Sequence, residues 1–225
     1  MSKSTTIQVN CPRCGYQSPM TVWDSINVDL DPELKEKYLS GELFQTECEV
    51  CGLKFLSPFP TIYHDMEHRF MLFCSYFKDD EEKEINNQME FPEGFFPKGY
   101  TFRRVFGMNP IKEKILIFEE GLNDITIERM KHFFYLNEKL NLLPSDEIFF
   151  SGIDRESDWV KENDFTRGAI IFVRLRQGQD SISLSLPMEV YYDYNLAVET
   201  DPRMKEPSLI PCIDADWMSS KLQNM

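Results

Sequence analysis

Two short stretches, Cys11-Pro12-Arg13-Cys14-Gly15 and Cys48-Glu49-Val50-Cys51-Gly52, constrain this chain more than any other part of it. Two residues between the cysteines let one tight turn aim both sulfurs at a single point. Glycine after the second thiol permits the positive φ with which the chain leaves such a turn. A tetrahedral zinc ion takes four soft ligands at about 2.3 Å, and two turns of this kind placed face to face supply them. Cys11, Cys14, Cys48 and Cys51 are therefore the candidate ligands of one Zn2+ per chain. Four thiolates leave no position for water, so such an ion stabilises folding and does not catalyse.

The compartment has to suit free thiols. Met1 to Asn10 is polar and lacks the apolar h-region of a secretion signal. The expectation is an intracellular, cytoplasmic protein in which paired cysteines bind metal and do not form disulfides. Cys74 and Cys212 lie outside the knuckles in apolar sequence and read as inert buried thiols. No apolar stretch approaches the ~20 residues that cross a bilayer, so no membrane partner is expected. The net charge is −14, with acidic residues spread over both halves. Phosphate contacts need clustered Lys and Arg, which disfavours nucleic acid as a partner. The acidity reads first as solubility and second as a binding surface.

At 225 residues and 42% hydrophobic, the chain can fill one large core or two small ones without disulfides. Thr5 to Val9 leads into the first knuckle as a strand, and Pro19 to Asn27, carrying Met20, Val22 and Ile26, returns from it. Asp31 is placed as N-cap and Pro32 as the first residue of a helix with a Leu34, Tyr38, Leu39 stripe, ended by Gly41. That helix accounts for the 33 residues between Cys14 and Cys48. Leu43 to Glu47 and Leu53 to Leu56 flank the second knuckle as strands. Thr61 to Asp65 and Arg69 to Phe77 read as strands around Met66-Glu67-His68, although Ile62, Met66, Phe70 and Phe73 also fall near one helical face.

The charged run Lys78 to Glu84 and the breaks at Pro92, Gly94 and Pro97 mark a loop or linker. A strand over Tyr100 to Phe106 follows. Asn109-Pro110 then starts a helix closed by Gly121, and Asn123 or Asp124 caps a second helix to about Asn141, forming a helical hairpin. Glu147 to Ser151, Ala169 to Leu175 and Ser181 to Leu186 read as strands, the second of them central. Pro187 opens a helix, Leu209 to Ile213 reads as a last strand, and Asp214 to Leu222 as a last helix. The fold class is α+β: an N-terminal zinc ribbon of two knuckled β-hairpins with a helical insertion, joined to a mixed sheet and helix portion. The domain reading is a ribbon over 1–78, a charged linker over 79–99 and a C-terminal portion over 100–225.

Two stretches also match motifs of other chemistry. Taken singly, Cys11-Pro12-Arg13-Cys14 looks like a glutaredoxin-type redox motif, but that motif opens a helix whose N-terminus lowers the thiol pKa. Here Gly15 and strand-like sequence follow, and a second knuckle is present. His64-Asp65-Met66-Glu67-His68 matches the H-x-x-E-H pattern of the inverzincin peptidases, which requires both His on one helix face with Glu67 as general base. The strand–turn–strand reading opposes that helix, and leaves His64 packed or hydrogen-bonded with Asp65 tying the turn. Trp23, Trp159 and Trp217 read as core or partly buried packing. Tyr191, Tyr192 and Tyr194 lack the interleaved Arg or Lys of a nucleic-acid stacking platform.

The knuckles, the stretch Val22-Trp23-Asp24-Ser25-Ile26-Asn27, the run from Asp31-Pro32-Glu33-Leu34-Lys35 to Gly41-Glu42-Leu43-Phe44, and Tyr63-His64-Asp65-Met66-Glu67 together resemble the CpXC family of bacterial and archaeal proteins. The resemblance runs to about residue 140 and includes Ile117-Phe118-Glu119-Glu120-Gly121-Leu122. Glu49 stands where the family name leads one to expect proline. The family is functionally uncharacterised, so the resemblance implies fold and metal and names no reaction.

The expected role is an intracellular interaction or scaffold module whose partner is another protein, without catalysis of its own. Two other classes are compatible with the sequence. One is a metal-dependent hydrolase built on His64, Glu67 and His68, with Asp65 beside them. The other is a nucleic-acid-binding ribbon.

Overall fold

The computed structural model describes residues 1–76, 94–206 and 208–222. The charged run Lys78 to Glu84 and Pro92 lie outside the described residues. The chain divides into two compact units, Met1–Met108 and Asn109–Met225.

The first unit contains β1 (Lys3–Asn10), β2 (Gln17–Asn27), α1 (Glu33–Ser40), β3 (Gln45–Glu47), β4 (Lys54–Leu56), β5 (Thr61–Asp65), β6 (Phe70–Ser75) and β7 (Thr101–Phe106). Five of these strands form one sheet in the order β1-β2-β5-β6-β7, and among the described residues β3 pairs with β4 alone. β1/β2 and β5/β6 are antiparallel, whereas β2/β5 and β6/β7 run parallel. All six residues of β6 are buried, which suits the continuously apolar run Phe70 to Cys74. β7 belongs to this sheet, so the strand after Tyr100 closes the first unit.

α1 follows the apolar spacing of its sequence, with Leu34 and Tyr38 buried. Its start differs from the expected cap. Pro32 already has helical angles (φ −62°, ψ −27°) and no side chain caps the helix. The Asp31 carboxylate accepts a hydrogen bond from the Ser2 N–H at 3.4 Å instead. Gly41 ends the helix at φ 81°, with its N–H bonded to the Tyr38 carbonyl. Residues 61–75 form a β-hairpin and no helix. Asp65 Oδ1 accepts from the His68 N–H at 2.7 Å and holds the turn, in which Arg69 takes φ 56°.

The second unit holds α2 (Met108–Glu119), whose first residue still falls in the first unit, then α3 (Asp124–Leu136), β8 (Glu147–Asp154), α4 (Asp158–Glu162), β9 (Ala169–Leu175), β10 (Ile182–Pro187), α5 (Met188–Thr200) and α6 (Ala215–Leu222). β9 is the central strand of an antiparallel sheet in the order β10-β9-β8. Gly121 turns the chain after α2 at φ 66°, and the Leu122 N–H reaches back to the Ile117 carbonyl at 2.9 Å. Asn123 Oδ1 caps α3 by accepting from the Ile125 N–H. The core packs Ile117, Ile127, Met130 and Phe134 with Ile148, Phe150, Ile170 and Phe172.

Between α2 and α3 lies a feature that the apolar pattern does not announce. Lys131 Nζ bonds Glu113 at 2.9 and 3.1 Å and Glu128 at 3.0 Å, and Lys114 Nζ bonds Asp124 at 2.8 Å. All five groups are buried, and Glu113 Oε1 also accepts from the Phe150 N–H at 2.6 Å.

Three expectations fail in this unit. Leu209 to Ile213 is not a strand: Pro211 removes a ladder donor, and Ile213 packs instead with Ile125, Val198 and Met218. The second helix stops at Leu136, where Asn137 turns the chain and its side chain accepts from the Lys139 N–H. Trp159, on a short helix α4 that the pattern did not reveal, is exposed at 42% and packs against Phe165, neither in the core nor largely covered. Among the described residues, no helix is long and apolar enough to cross a membrane.

Candidate metal centre

The two knuckles are copies of one hydrogen-bonded turn. In the first, the Cys11 N–H donates to the Tyr16 carbonyl at 2.8 Å and the Gly15 N–H to the Cys11 carbonyl at 2.9 Å. In the second, the Cys48 N–H donates to Leu53 and the Gly52 N–H to Cys48, both at 2.9 Å. Gly15 sits at φ 73° and Gly52 at φ 67°, and nothing crowds either Cα. Glycine is required at both places for backbone angle, not for space.

Aromatic packing brings the turns face to face. Phe44, just before β3, lies against Tyr38 of α1 (ring centroids 5.4 Å) and Phe59 (5.0 Å), while Tyr38 contacts Tyr63 of β5 at 5.6 Å. The helical insertion thus pins the β3/β4 hairpin against the main sheet. Cys11 Sγ then lies 3.6 Å from Cys51 Sγ, and Cys14 Sγ 3.5 Å from Cys48 Sγ. All four sulfurs are within 4.8 Å of one another. Tetrahedral ligands at about 2.3 Å from one ion stand about 3.8 Å apart, whereas a disulfide needs about 2.05 Å. The quartet is spaced for a shared metal ion.

The backbone favours charge on two of the sulfurs. The Cys48 thiol is pulled down to about 6, chiefly by the Cys51 N–H and against burial. Cys11 is also lowered: burial opposes ionisation, but the N–H groups of Cys14 and Arg13 outweigh it. Cys14 is pushed up to about 12, the Tyr16 N–H being overcome by burial and by the neighbouring thiols. Four sulfurs this close cannot all carry charge unless a cation joins them, and a bound divalent ion reverses that logic by deprotonating its thiol ligands outright.

The sequence model of CpXC proteins matches residues 9–131, which spans both knuckles, α1, the β5/β6 hairpin and α3 as far as Lys131. The chain belongs to the CpXC family. Comparison with curated proteins and with solved structures found no match. Within the CpXC match, Glu49 is exposed on the second knuckle and takes no part in the sulfur cluster.

The other candidate residues of the CpXC region are not gathered into a ligand set. His64 lies within β5, while Glu67 and His68 are exposed in the turn beyond it. The His68 ring is held by the Asp65 carboxylate at 2.9 Å. Asn27 Oδ1 accepts from the backbone N–H groups of Asp29 and Leu30, both at 3.2 Å, which leaves its Nδ2 to donate to His64 Nδ1 at 3.3 Å. His64 therefore accepts at Nδ1 and carries its proton at Nε2, the neutral tautomer. Asp29, which the sequence did not single out, clamps the same turn by accepting from Met66 N–H at 2.5 Å and Glu67 N–H at 3.1 Å. A carboxylate two residues after a strand end carries no recognisable signal for a bond that spans 37 residues.

This arrangement has a pH consequence. Burial holds the His64 pKa below its usual 6.5, against the pull of Asp29 and Asp65. The unfolded chain then binds the proton more tightly than the folded one, so the stability tied to neutral His64 is present above about pH 6.5 and is lost as pH falls below it. We expect the urea midpoint to drop between pH 6.5 and 5 more steeply in the wild-type protein than in His64→Gln. Equal slopes in the two proteins would remove His64 from this account.

Proposed function

We infer that the four thiolates hold one structural Zn2+ per chain and that the protein acts as an interaction or scaffold module for another protein inside the cell. The observation that carries the metal reading is the paired knuckle itself, with four sulfurs within 4.8 Å of one another and identical hydrogen bonding in the two turns. Sulfur donors in a tetrahedral cluster select zinc over the harder cations. A four-thiolate shell leaves the ion no open coordination position, so its role is to hold the hairpins together. The chain as a whole is acidic, with a net charge of −14, and the knuckles present Tyr16 (42% exposed), Val50 (65%) and Leu56 (65%) to solvent. Aromatic and aliphatic side chains exposed on a rigid support suit protein recognition.

Metal analysis of protein purified without chelators is expected to give one zinc per chain, and a value near zero would refute the metal assignment. The partner role is tested by affinity capture from the native cell with the wild-type protein and with a Tyr16→Ser, Val50→Ser, Leu56→Ser variant that retains its zinc. Partners lost with the variant support the reading, and partners captured equally by both count against it.

A further inference from the structure

We propose that β1 is a self-association edge, at which two copies of this chain pair β1 against β1, antiparallel, about a two-fold axis through Ile7. This goes beyond the binding role inferred for the knuckles and uses a different element.

Among the described residues, β1 is the end strand of its sheet. The orientation of its backbone follows from its partner. Gln8 stands opposite Pro19, which has no N–H to give. Three residue pairs further along, the Cys11 N–H points inward to the Tyr16 carbonyl. Alternation along an antiparallel ladder then turns the N–H and C=O groups of Thr5, Ile7 and Val9 toward β2, and those of Ser4, Thr6, Gln8 and Asn10 outward.

Proteins usually guard such an edge with charge, proline or a bulge. The outer side of β2 beyond its pairing with β5 carries Pro19 and Asp24, and the opposite end of the sheet, β7, carries Arg103 and Arg104. β1 has its single Lys and its one register shift at the start, at Lys3/Ser4. From Ser4 to Asn10 it has no charge, no proline and no glycine.

The side chains point to the same partner. Thr5, Ile7 and Val9 stand opposite Val22, Met20 and Ser18, all three of which are buried. The apolar face of the sheet therefore extends to the open edge, where Ile7 is left 41% exposed. A second β1 centred on Ile7 pairs Thr6 with Gln8 and Ser4 with Asn10, forming about eight backbone hydrogen bonds. It also sets Ile7 against Ile7 and Thr5 against Val9 on the face that is already apolar, and opposes no two like charges. An unrelated charged peptide finds no complementary charge on this stretch, since Lys3 is already paired with Asp24 at 3.3 Å.

The test is the mass of the full-length, metal-loaded protein by light scattering. The wild type is expected at twice the 26.6 kDa chain mass. Gln8→Pro removes an outward N–H without touching the β1/β2 ladder and is expected to halve the mass while leaving the metal content unchanged. Ile7→Lys, which opposes two ammonium groups across the axis, is expected to do the same and serves if the proline variant misfolds. In the wild-type background, Ile7→Cys is expected to form an intermolecular disulfide on mild oxidation, because directly opposed residues of a non-hydrogen-bonded pair lie about 4.5 Å apart at Cα. Thr5→Cys, on the same face but off the axis, is not. A wild type that stays monomeric at ~100 µM overturns the proposal. So does a dimer that survives both variants and gives no Ile7→Cys cross-link, whatever the knuckles prove to bind.

Discussion

Cys48→Ser is expected to release the metal ion and unfold the ribbon formed by the two knuckled hairpins. The binding free energy of a four-thiolate zinc site is on the order of 10 kcal/mol, comparable with the whole stability of a small domain. Apart from the sulfurs, the second hairpin is held at its base, by the aromatic contacts of Phe44 with Tyr38 and Phe59. β3 and β4 are three residues each and among the described residues pair only with one another, and of their six residues none is buried. Phe44 is buried, but it anchors only the entry to the hairpin. Limited proteolysis gives the readout: cleavage within 42–56 is expected in Cys48→Ser and in chelator-treated wild type, and not in the metal-loaded protein. Equal protection in all three samples would show that packing, not metal, holds the hairpin.

The second large effect is expected at Lys131→Met, in the second unit. Lys131 is the shared partner of Glu113 and Glu128, both 3% exposed or less. Burial raises the Glu113 pKa and Lys131 counters it; burial also works against charge on Lys131, yet the two carboxylates hold its pKa above the usual range. Removing the ammonium leaves two buried carboxylates beside Lys114, which stands 3.7 Å from Glu128 and is already bonded to Asp124, a change that costs about 3–5 kcal/mol. The melting temperature should fall by on the order of 10 °C. Adding Glu113→Gln to Lys131→Met keeps the acceptor for the Phe150 N–H and removes one uncompensated charge, so part of the loss should return. A single variant that melts within 2 °C of wild type, or a double variant no better than the single, would deny this network its structural weight.

The parts of this molecule that are legible in sequence are those whose causes are local. The knuckles need only two thiols and a glycine in five residues, and their turns are closed by their own backbone. Gly41, Gly121 and Asn123 end or begin helices by bonds to residues at most five positions away. The central position of β9 followed from its β-branched run.

What failed or was missed depends on distant partners. Asp31 was read as a cap, yet its carboxylate bonds Ser2 across 29 residues. Leu209 to Ile213 is apolar enough for a strand but pairs with no strand among the described residues. The parallel pairings of β2 with β5 and of β6 with β7 leave no mark on the alternation of either strand. Charged residues on α2 and α3 read by default as solvent-facing, so Glu113, Lys114, Glu128 and Lys131 concealed a buried network. The cluster around His64 illustrates the same limit. Its motif is visible, but Asn27 and Asp29, which fix its tautomer and its turn, lie 37 residues or so upstream.

The repetition of the knuckle has a consequence for the order of events as the chain folds. Each turn is closed by bonds that reach no further than five residues, so each can form within a few residues of unfolded chain and present two sulfurs before any sheet exists. Joining the halves means closing the 33 residues between Cys14 and Cys48, an entropic cost of about 3 kcal/mol by the logarithmic loop law. A cation held by one turn raises the local concentration of the other's target and offsets that cost early. The metal is then expected to act as a nucleus around which α1 and the second hairpin are gathered, taken up during folding and not inserted into a finished cage.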